Sequence, residues 1–431
     1  MRITFIGHGY VGLVTACVFA DLGNDVWVVG HTPEKVEKLK KGIPLIYEPG
    51  LREVLKKNLN AQRLHFTLDY KEGLSGSNII FIAVGTPPKQ NGQADLTAVL
   101  DVAKKIGTHL SNGYTVVSCK STVPVGTNKK VQAIIEETKN EGVHIDVASC
   151  PEFLREGTAL QDTLSPDRIV IGSDSKKAIE TLLELHKPLK GQRIITNLAS
   201  AELIKYTSNA MLATRLSFAN MIALFAEKTG ANVEEVLNAV GMDKRIGSLY
   251  LYPGAGYGGS CLPKDVKALI HMGQEYKVDM SLLQSVEQIN KHMREEVVNK
   301  VISHKNIRKI AVWGLAFKPD TDDVREAPAF YILSELIKKG YAITAYDPEA
   351  ISTFQELLPN EVTYANSTYE AVSGVDLLLI LTEWNEFKQV DLQKIYAQMA
   401  QKNIVDARNI YDPTIIRALG FSYMSVGRTS S

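Results

Sequence analysis

Cys261 stands where a cysteine side chain can do covalent chemistry. It ends a glycine-rich loop, GAGYGGS at residues 254–260, and Pro263 marks a helix that starts directly after it. Backbone N–H groups and the positive end of a helix lower the pKa of a thiol, and glycines let a ligand or another backbone segment come close. The position favours a nucleophile, with a structural cysteine as the alternative.

The other three cysteines, Cys17, Cys119 and Cys150, fall in apolar helix or strand segments. A small buried hydrophobe is the better interpretation there. The sequence contains no CxxC pair, and no cluster of His, Cys, Asp or Glu has the spacing of metal ligands. We therefore predict neither a disulfide scaffold nor a metal site.

Glycines near the start of the chain indicate a dinucleotide site. The run GHGYVG places Gly7, Gly9 and Gly12 between a strand at residues 3–6 and a helix at 13–22. Such glycines allow a tight turn and let the backbone approach a pyrophosphate that lies on the helix N-terminus. The motif alone is weak, but between a strand and a helix it predicts cofactor binding rather than an ordinary turn.

An acidic residue that this site usually carries is missing. An Asp or Glu at the end of the second strand binds the ribose hydroxyls of NAD and repels a 2′-phosphate. Gly30 holds that position here, followed by His31, Thr32 and Lys35. We predict NAD as the cofactor with weak discrimination against NADP, and we expect Gly30→Asp to shift the preference toward NAD.

Polar residues also follow other predicted strands. The segments VGTP at 84–87 and STVPVGT at 121–127 lie at such strand ends, where ligands of open α/β sheets bind. Their Thr and Gly residues either contact the cofactor or cap the next helix. Glu152 and Glu156 follow a further strand and are either surface charges or a substrate ligand and a general base.

A lysine and an asparagine share one face of a predicted helix. Lys205 and Asn209 are four residues apart, so both side chains project from the same side. A lysine beside an apolar stretch is usually solvated. Next to a thiolate, however, the pair would supply charge and hydrogen bonds to a developing oxyanion.

The order of elements predicts an α/β fold with two doubly wound sheets and helices between them. Residues 2–196, and again those after 306, alternate β-branched runs with helical stretches. A helix at 200–228 contains no Gly or Pro and ends at Gly230. The other predicted elements are strands at 26–29, 79–84, 115–119, 145–149, 168–171, 309–313, 342–346, 375–381 and 403–405, and helices at 233–240, 263–276, 281–303 and 328–339.

The two predicted sheets differ in their first turn. The strand at 309–313 is followed by Gly314-Leu315-Ala316, which is no glycine fingerprint, so we expect the second sheet not to hold a dinucleotide in the same way. Residues 427–431 are predicted to form a loose tail.

Charge and hydropathy argue for a compact ligand. The 431 residues include 48 Lys and Arg and 48 Asp and Glu, so no net field draws the protein to nucleic acid or to an anionic membrane. No apolar run is long enough to span a bilayer, and the chain starts in a strand pattern rather than a basic leader. These features predict a cytoplasmic protein without nucleic-acid or membrane partners.

Six motifs spread along the chain give it a resemblance to a known family. They are GHGYVG, STVPVGT, PEFLREGTA, LIKYTSNA, GYGGSCLPKD and LAFKPDTDDVREAP, in this order. With them the sequence resembles the UDP-glucose/GDP-mannose dehydrogenase family over nearly its whole length. The resemblance implies Rossmann-like domains for NAD at 1–197 and for a nucleotide sugar at 305–431. It also implies a central helical domain at 198–304 that forms a homodimer or a larger even assembly.

The resemblance implies ligand contacts residue by residue. For the cofactor it adds Val11, Lys35, Thr86, Thr122, Lys264 and Arg325 to the motif glycines Gly7, Gly9 and Gly12 and to Gly30, which stands where the family usually has Asp. The substrate residues are Glu152, Phe153, Leu154, Arg155, Glu156, Lys205, Asn209, Arg245, Tyr250, Leu251, Tyr252, Pro253, Gly254, Gly258 and Lys318.

The reaction implied is oxidation of the 6-alcohol of a UDP-sugar to a carboxylate, with Cys261 forming first a thiohemiacetal and then a thioester. Lys205 and Asn209 would stabilise the oxyanions. Asp265 would orient or deprotonate water, and Glu156 or Thr122 would assist hydrolysis. UDP-glucose is the first choice of substrate, with GDP-mannose or a UDP-N-acetylhexosamine as alternatives; outside the enzymes, the alternative is a non-catalytic nucleotide-sugar sensor.

Overall fold

The computed structural model describes residues 1–428. Contacts between residues divide the chain into two compact units. The first unit is Met1–Ser208 with Lys267–Met272, and the second is Asn209–Val266 with Gly273–Ser431. The predicted domain boundaries at 197/198 and 304/305 stay a prediction.

The first unit is built on an eight-stranded sheet of order β3-β2-β1-β4-β5-β6-β7-β8. All its strand pairs are parallel except β6 and β7, which meet antiparallel at Ser149 and Gly172. The central strands at residues 2–6 and 79–82 are mostly apolar and almost entirely buried, as expected for a sheet that is covered on both faces. The strands are β1 (Arg2–Ile6), β2 (Asp25–Val29), β3 (Leu64–Thr67), β4 (Ile79–Ile82), β5 (Gly113–Cys119), β6 (Val143–Ser149), β7 (Arg168–Gly172) and β8 (Gln192–Thr196).

Helices connect these strands and bury the apolar clusters on the sheet. They are α1 (Tyr10–Asp21), α2 (Pro33–Lys40), α3 (Leu51–Asn60), α4 (Tyr70–Leu74), α5 (Thr97–His109), α6 (Thr127–Thr138), α7 (Ala159–Leu164) and α8 (Lys176–His186).

Four helices follow, and the first of them is the longest of the described chain. They are α9 (Leu198–Thr229), α10 (Val233–Met242), α11 (Leu262–Glu275) and α12 (Ser281–Ser303). With 32 residues, α9 is about 48 Å long at 1.5 Å per residue. Gly230 follows it with φ +78°, a backbone conformation that ends a helix and that glycine adopts without steric cost.

The second unit contains a six-stranded parallel sheet of order β11-β10-β9-β12-β13-β14. Its strands are β9 (Lys309–Trp313), β10 (Ala342–Tyr346), β11 (Val362–Tyr364), β12 (Leu377–Ile380), β13 (Asn403–Asp406) and β14 (Ser422–Ser425). Its helices are α13 (Pro328–Lys338), α14 (Ile351–Gln355), α15 (Thr368–Ala371), α16 (Asn385–Lys388), α17 (Leu392–Gln398) and α18 (Pro413–Ala418).

The predicted fold class is confirmed: two Rossmann-like parallel sheets are linked by helices that include one long helix. The prediction missed β3, β8, β11 and β14. These strands have three to five residues each and contain polar positions, so their sequences carry little strand signal. None of the helices in residues 1–428 combines the length and apolar character needed to cross a membrane.

The start of the predicted loose tail is held in place. The N–H of Gly427 donates to a carboxylate oxygen of Glu227 at 2.6 Å, and the guanidinium of Arg428 donates to Glu234 and to the carbonyl of Tyr411. The prediction is therefore wrong for these two residues, because hydrogen bonds to Glu227, Glu234 and Tyr411 fix them. Residues 429–431 lie outside the described residues.

Candidate active site

The GHGYVG segment forms the turn from β1 into α1. A Cβ on Gly7 would lie 2.4 Å from the carbonyl oxygen of Ala83, and one on Gly12 would lie 2.2 Å from that of Gly7, so the backbone packs too closely there for any side chain. At Gly9, by contrast, a Cβ would meet nothing within 4 Å. The open space before the N-terminus of α1 therefore fits a pyrophosphate group.

The STVPVGT segment turns into α6, and its helix N-terminus is already satisfied by protein. The carboxylate of Glu202, on α9, accepts from the N–H groups of Gly126 and Asn128 at 2.6 and 2.8 Å. The hydroxyl of Thr127 donates to the carbonyl of Pro124 at 2.6 Å. Gly126 is the N-cap residue by position, but no side chain of the segment caps the helix. The capping group is the carboxylate of Glu202, which sequence reasoning missed.

Thr86 and Thr122, both predicted cofactor residues, are linked at the ends of β4 and β5. The hydroxyl of Thr86 donates to the carbonyl oxygen of Thr122 at 2.9 Å. This bond ties the two strand ends together at the edge where ligands of such sheets bind.

The end of β2 explains why Gly30 carries no side chain. A Cβ there would lie 2.4 Å from a methyl of Val36 and 2.8 Å from Cδ2 of His8. His8 is buried, and its ring stacks on that of His31 with centroids 4.9 Å apart. The new side chain of Gly30→Asp would collide with His8 and Val36. A change in cofactor preference in this single variant would therefore not report on the carboxylate alone.

Lys205 forms a buried ion pair with Glu152. The ammonium lies 2.9 Å from Oε1 of Glu152, and the two side chains are only 4% and 7% exposed. The ring of Phe153 lies under the same ammonium at 5.3 Å, and the second oxygen of Glu152 accepts from the N–H of Leu154 at 2.8 Å. The alternatives of a solvated lysine and of a surface Glu152 are therefore wrong.

Glu156 is buried too, which also excludes a surface charge at this position. The backbone beside it is fixed by Glu48, whose carboxylate accepts from the N–H of Gly157 at 2.6 Å and from the hydroxyl of Tyr10. Burial is the main reason that the pKa of Tyr10 is raised, so its hydroxyl stays protonated as a donor. Glu48 was not found from the sequence because no motif surrounds it.

In the second unit, Cys261 lies at the N-terminus of α11, as predicted. Its carbonyl accepts the first helical hydrogen bond from the N–H of Asp265 at 2.9 Å, and its side chain is exposed. Asp265 is buried and accepts from the amide nitrogen of Asn209 at 2.6 Å and from Lys264 at 2.5 Å. Two predicted catalytic residues, Asn209 and Asp265, are thus in direct contact, and Lys264 forms an ion pair with Asp265.

The glycines of the loop before Cys261 are needed for packing within the second unit. A Cβ on Gly258 would lie 2.4 Å from the carbonyl oxygen of Glu326, and one on Gly259 would lie 2.8 Å from the ring of Phe317. The N–H of Gly254 donates to the side chain of Asn220 at 2.8 Å. Of the two uses considered for these glycines, close approach of protein accounts for Gly258 and Gly259.

Several predicted ligand residues lie on the surface with an acidic neighbour. Arg155 pairs with Asp162, Arg245 with Asp243, and Arg325 with Asp323. Lys35 is exposed on α2. Tyr250 and Tyr252 place their rings 6.1 Å apart, and Lys318 lies 5.8 Å from the ring of Phe317.

The remaining thiols differ sharply from Cys261. All three are buried in the first unit, and burial raises the pKa of Cys17 and of Cys119 to about 12. The pKa of Cys150 is raised by burial as well. Buried thiols of this kind are inert, so Cys261 is the cysteine available for chemistry among residues 1–428.

Family models match three consecutive parts of the chain. They are those of the UDP-glucose/GDP-mannose dehydrogenase family: the NAD binding domain at residues 1–190, the central domain at 199–292 and the UDP binding domain at 311–413. The chain belongs to this family. Membership makes it an NAD-dependent oxidoreductase with a nucleotide-sugar ligand, which confirms the predicted enzyme class.

Relatives of known name match over almost the full length. The UDP-glucose 6-dehydrogenase TuaD of Bacillus subtilis is 45% identical, covering 99% of this chain and 93% of the relative. A UDP-glucose dehydrogenase structure from Pyrobaculum islandicum has a TM-score of 0.92 at 37% identity, covering 99% and 98%. A UDP-D-ManNAc dehydrogenase structure from Pyrococcus horikoshii has a TM-score of 0.86 at 31% identity, covering 99% of both chains.

Proposed function

We propose that this dehydrogenase oxidises UDP-glucose to UDP-glucuronate and uses Cys261 as a covalent nucleophile. The observation that carries the mechanism is the position of Cys261, exposed at the N-terminus of α11 while the other cysteines are buried. A protein that only sensed nucleotide sugars would have no use for such a thiol. The choice of UDP-glucose is supported by the names of the relatives at 45% identity.

The proposed reaction has four steps. The CH2OH group at C6 loses a hydride and a proton and becomes an aldehyde. The Cys261 sulfur adds to the aldehyde carbon, and the thiohemiacetal loses a second hydride and proton to give a thioester. Water then breaks the C–S bond, releasing the carboxylate and the thiol. NAD, when bound, supplies the hydride acceptor of both oxidations, so one water and two NAD⁺ are consumed per acid.

The proposed catalytic side chains have distinct roles. Lys205 carries a fixed positive charge and Asn209 an amide N–H, one helical turn apart on α9, and both would stabilise oxyanions. Asp265 already holds Asn209 in place and would orient the hydrolytic water. Glu156 or Thr122 would assist that hydrolysis.

The substrate is tested by measuring NADH formation with UDP-glucose, GDP-mannose and UDP-N-acetylhexosamines at equal concentrations. We expect UDP-glucose to give the highest kcat/KM by at least about 100-fold, because a sugar that leaves buried polar groups unpaired is strongly rejected. A higher kcat/KM for an acetylated sugar would place the chain functionally with the 31% identical ManNAc dehydrogenase instead. Binding of UDP-glucose without any NADH would support the sensor.

NAD is the proposed cofactor, with weak discrimination against NADP because Gly30 leaves no carboxylate to repel a 2′-phosphate. The test compares kcat/KM for both cofactors in the wild type and in the triple variant His8→Ala/Gly30→Asp/Val36→Ala. The two alanines remove the ring and the methyl groups that the new side chain would meet. We expect the NAD preference to rise at least about 10-fold. An unchanged ratio would mean that the ribose does not lie at Gly30.

A homodimer or larger even assembly through α9 is also proposed. Met211, Phe218 and Phe225 are spaced by seven residues on this helix and are 58%, 44% and 66% exposed, so they form one apolar stripe. Light scattering at micromolar concentration should give an even multiple of the chain mass, and Phe218→Glu should lower it. The control is Leu357→Glu, at an equally exposed leucine of the second unit. A monomeric wild type would contradict the proposal.

A further inference from the structure

His8 presents a buried nitrogen without a partner at the corner where the ribose carboxylate is missing. The residue is 6% exposed, and its Nε2 has no hydrogen-bond partner within residues 1–428. A Cβ on Gly30 would lie 3.4 Å from this nitrogen. Buried polar atoms in native proteins are nearly always hydrogen-bonded, so this nitrogen is expected to have a partner in the working protein.

The charge state of His8 restricts what that partner can be. Burial lowers the pKa of His8, and the nearby charges of His31 and Lys35 lower it further. The ring is therefore neutral at pH 7. A ring hydrogen bond to the backbone of His8 raises its pKa, and because Nε2 has no partner this bond places the proton on Nδ1. The unprotonated Nε2 accepts from a hydroxyl but not from a phosphate that has lost its protons. A hydroxyl group fits this nitrogen better than a 2′-phosphate does.

We propose that His8 takes over the role of the missing carboxylate, with its Nε2 accepting a hydrogen bond from the 2′-hydroxyl of the adenosine ribose. The inference rests on the proposed placement of NAD at the first sheet. The exposed ring of His31 stacks on the face of the His8 ring with an interplanar angle of 12°, so it leaves the in-plane direction of the Nε2 lone pair to the ribose. His8 thereby recognises NAD without the charge repulsion that would exclude NADP.

Calorimetric titration of the whole protein without sugar nucleotide tests this inference. The probes are NAD⁺ and 2′-deoxy-NAD⁺, which lacks the hydroxyl in question. We expect the wild type to bind the deoxy compound about 3- to 10-fold more weakly, the effect of one neutral hydrogen bond. His8→Phe keeps the ring volume but removes the nitrogen, so it should bind NAD⁺ as weakly as the deoxy compound and show no difference between the two.

Two further variants keep the result interpretable. His65→Phe is the control. His65 stacks on Trp27 and pairs with Asp25, which starts β2, whereas Gly30 follows its end. This variant should keep the wild-type preference for NAD⁺ over 2′-deoxy-NAD⁺. His31→Ala should keep the preference as well, with equal or tighter NAD⁺ binding. Loss of the preference in His31→Ala, or its survival in His8→Phe, would overturn the assignment. If the protein shows the preference but does not oxidise UDP-glucose, the proposed function fails while the role of His8 stands.

Discussion

The two sheets of this molecule share one strand order over their first six strands but differ in how the first strand ends. In the first sheet, three residues separate β1 from α1, and Gly9 faces open space at the helix N-terminus. In the second sheet, residues 314–327 separate β9 from α13, and a Cβ on Gly314 would lie 1.8 Å from the hydroxyl of Thr382. Only the first turn therefore has room for a pyrophosphate at a helix N-terminus.

The residue that follows the second strand differs between the two sheets as well. A carboxylate at this position is typical of a dinucleotide site, yet it is found in the other sheet. The sheet that binds NAD has Gly30 there, whereas the second sheet has a carboxylate, Asp347. Asp347 is buried and accepts from the N–H groups of Leu315 and Ala316 at 2.8 and 3.1 Å and from the indole of Trp384 at 3.2 Å. An acidic residue at this position can thus be purely structural, so strand order alone does not identify the dinucleotide site.

Removing the carboxylate of Asp347 should have the largest effect and should be confined to stability. Asp347→Ala leaves buried N–H groups unsatisfied, so we expect a loss of about 3 kcal/mol in urea unfolding followed by tryptophan fluorescence. The NAD⁺ affinity should not change. Asp391→Ala, at an exposed cap of α17, is the control and should cost about 1 kcal/mol. Weaker NAD⁺ binding with unchanged stability would show that the second sheet takes part in cofactor binding.

Filling the open space at Gly9 should lower the NAD⁺ affinity and leave the stability unchanged. The backbone of Gly9 is extended, with φ −74°, and no atom lies within 4 Å of its added Cβ, so Gly9→Val should leave the melting temperature unchanged. NAD⁺ affinity should fall at least about 10-fold, because the side chain occupies the path of the pyrophosphate. Titration calorimetry measures this, with UDP-glucose binding as the control. Unchanged NAD⁺ affinity would refute the pyrophosphate position.

The cysteines of the two units should differ in their rate of alkylation in the native protein. At pH 8, a thiol of pKa about 12 is ionised to about one part in ten thousand, so Cys17 and Cys119 should resist iodoacetamide. We expect one label per native chain by mass spectrometry, at Cys261, and no label in Cys261→Ser. Rapid labelling of a first-unit cysteine in the native protein would contradict the burial described above.

Features that depend on neighbouring residues in the sequence were predictable. The long helix was placed within two residues at its start and one at its end, because no Gly or Pro interrupts it and Gly230 follows it. The position of Cys261 at a helix N-terminus was predictable from Pro263 and the glycines. Each of these features is encoded within one continuous stretch of the chain.

Contacts between distant residues were not predictable. Glu152 pairs with Lys205 and Glu202 caps α6 because the first turns of α9 belong to the first unit, which no local pattern reveals. Likewise, the ring of His8 fills the space beside Gly30 only because β1 and β2 are neighbours in the sheet. Short polar strands such as β14, with the sequence SYMS, were missed because they form through pairing rather than through hydrophobic alternation.

The most direct test of the proposed function counts NADH against acid for the wild type and Cys261→Ser. The wild type should form two NADH per UDP-glucuronate. Cys261→Ser should form no acid while still binding UDP-glucose in calorimetry, because a hydroxyl without a strong base cannot replace a thiolate. Undiminished acid production by Cys261→Ser, or one NADH per acid in the wild type, would contradict the covalent four-electron mechanism.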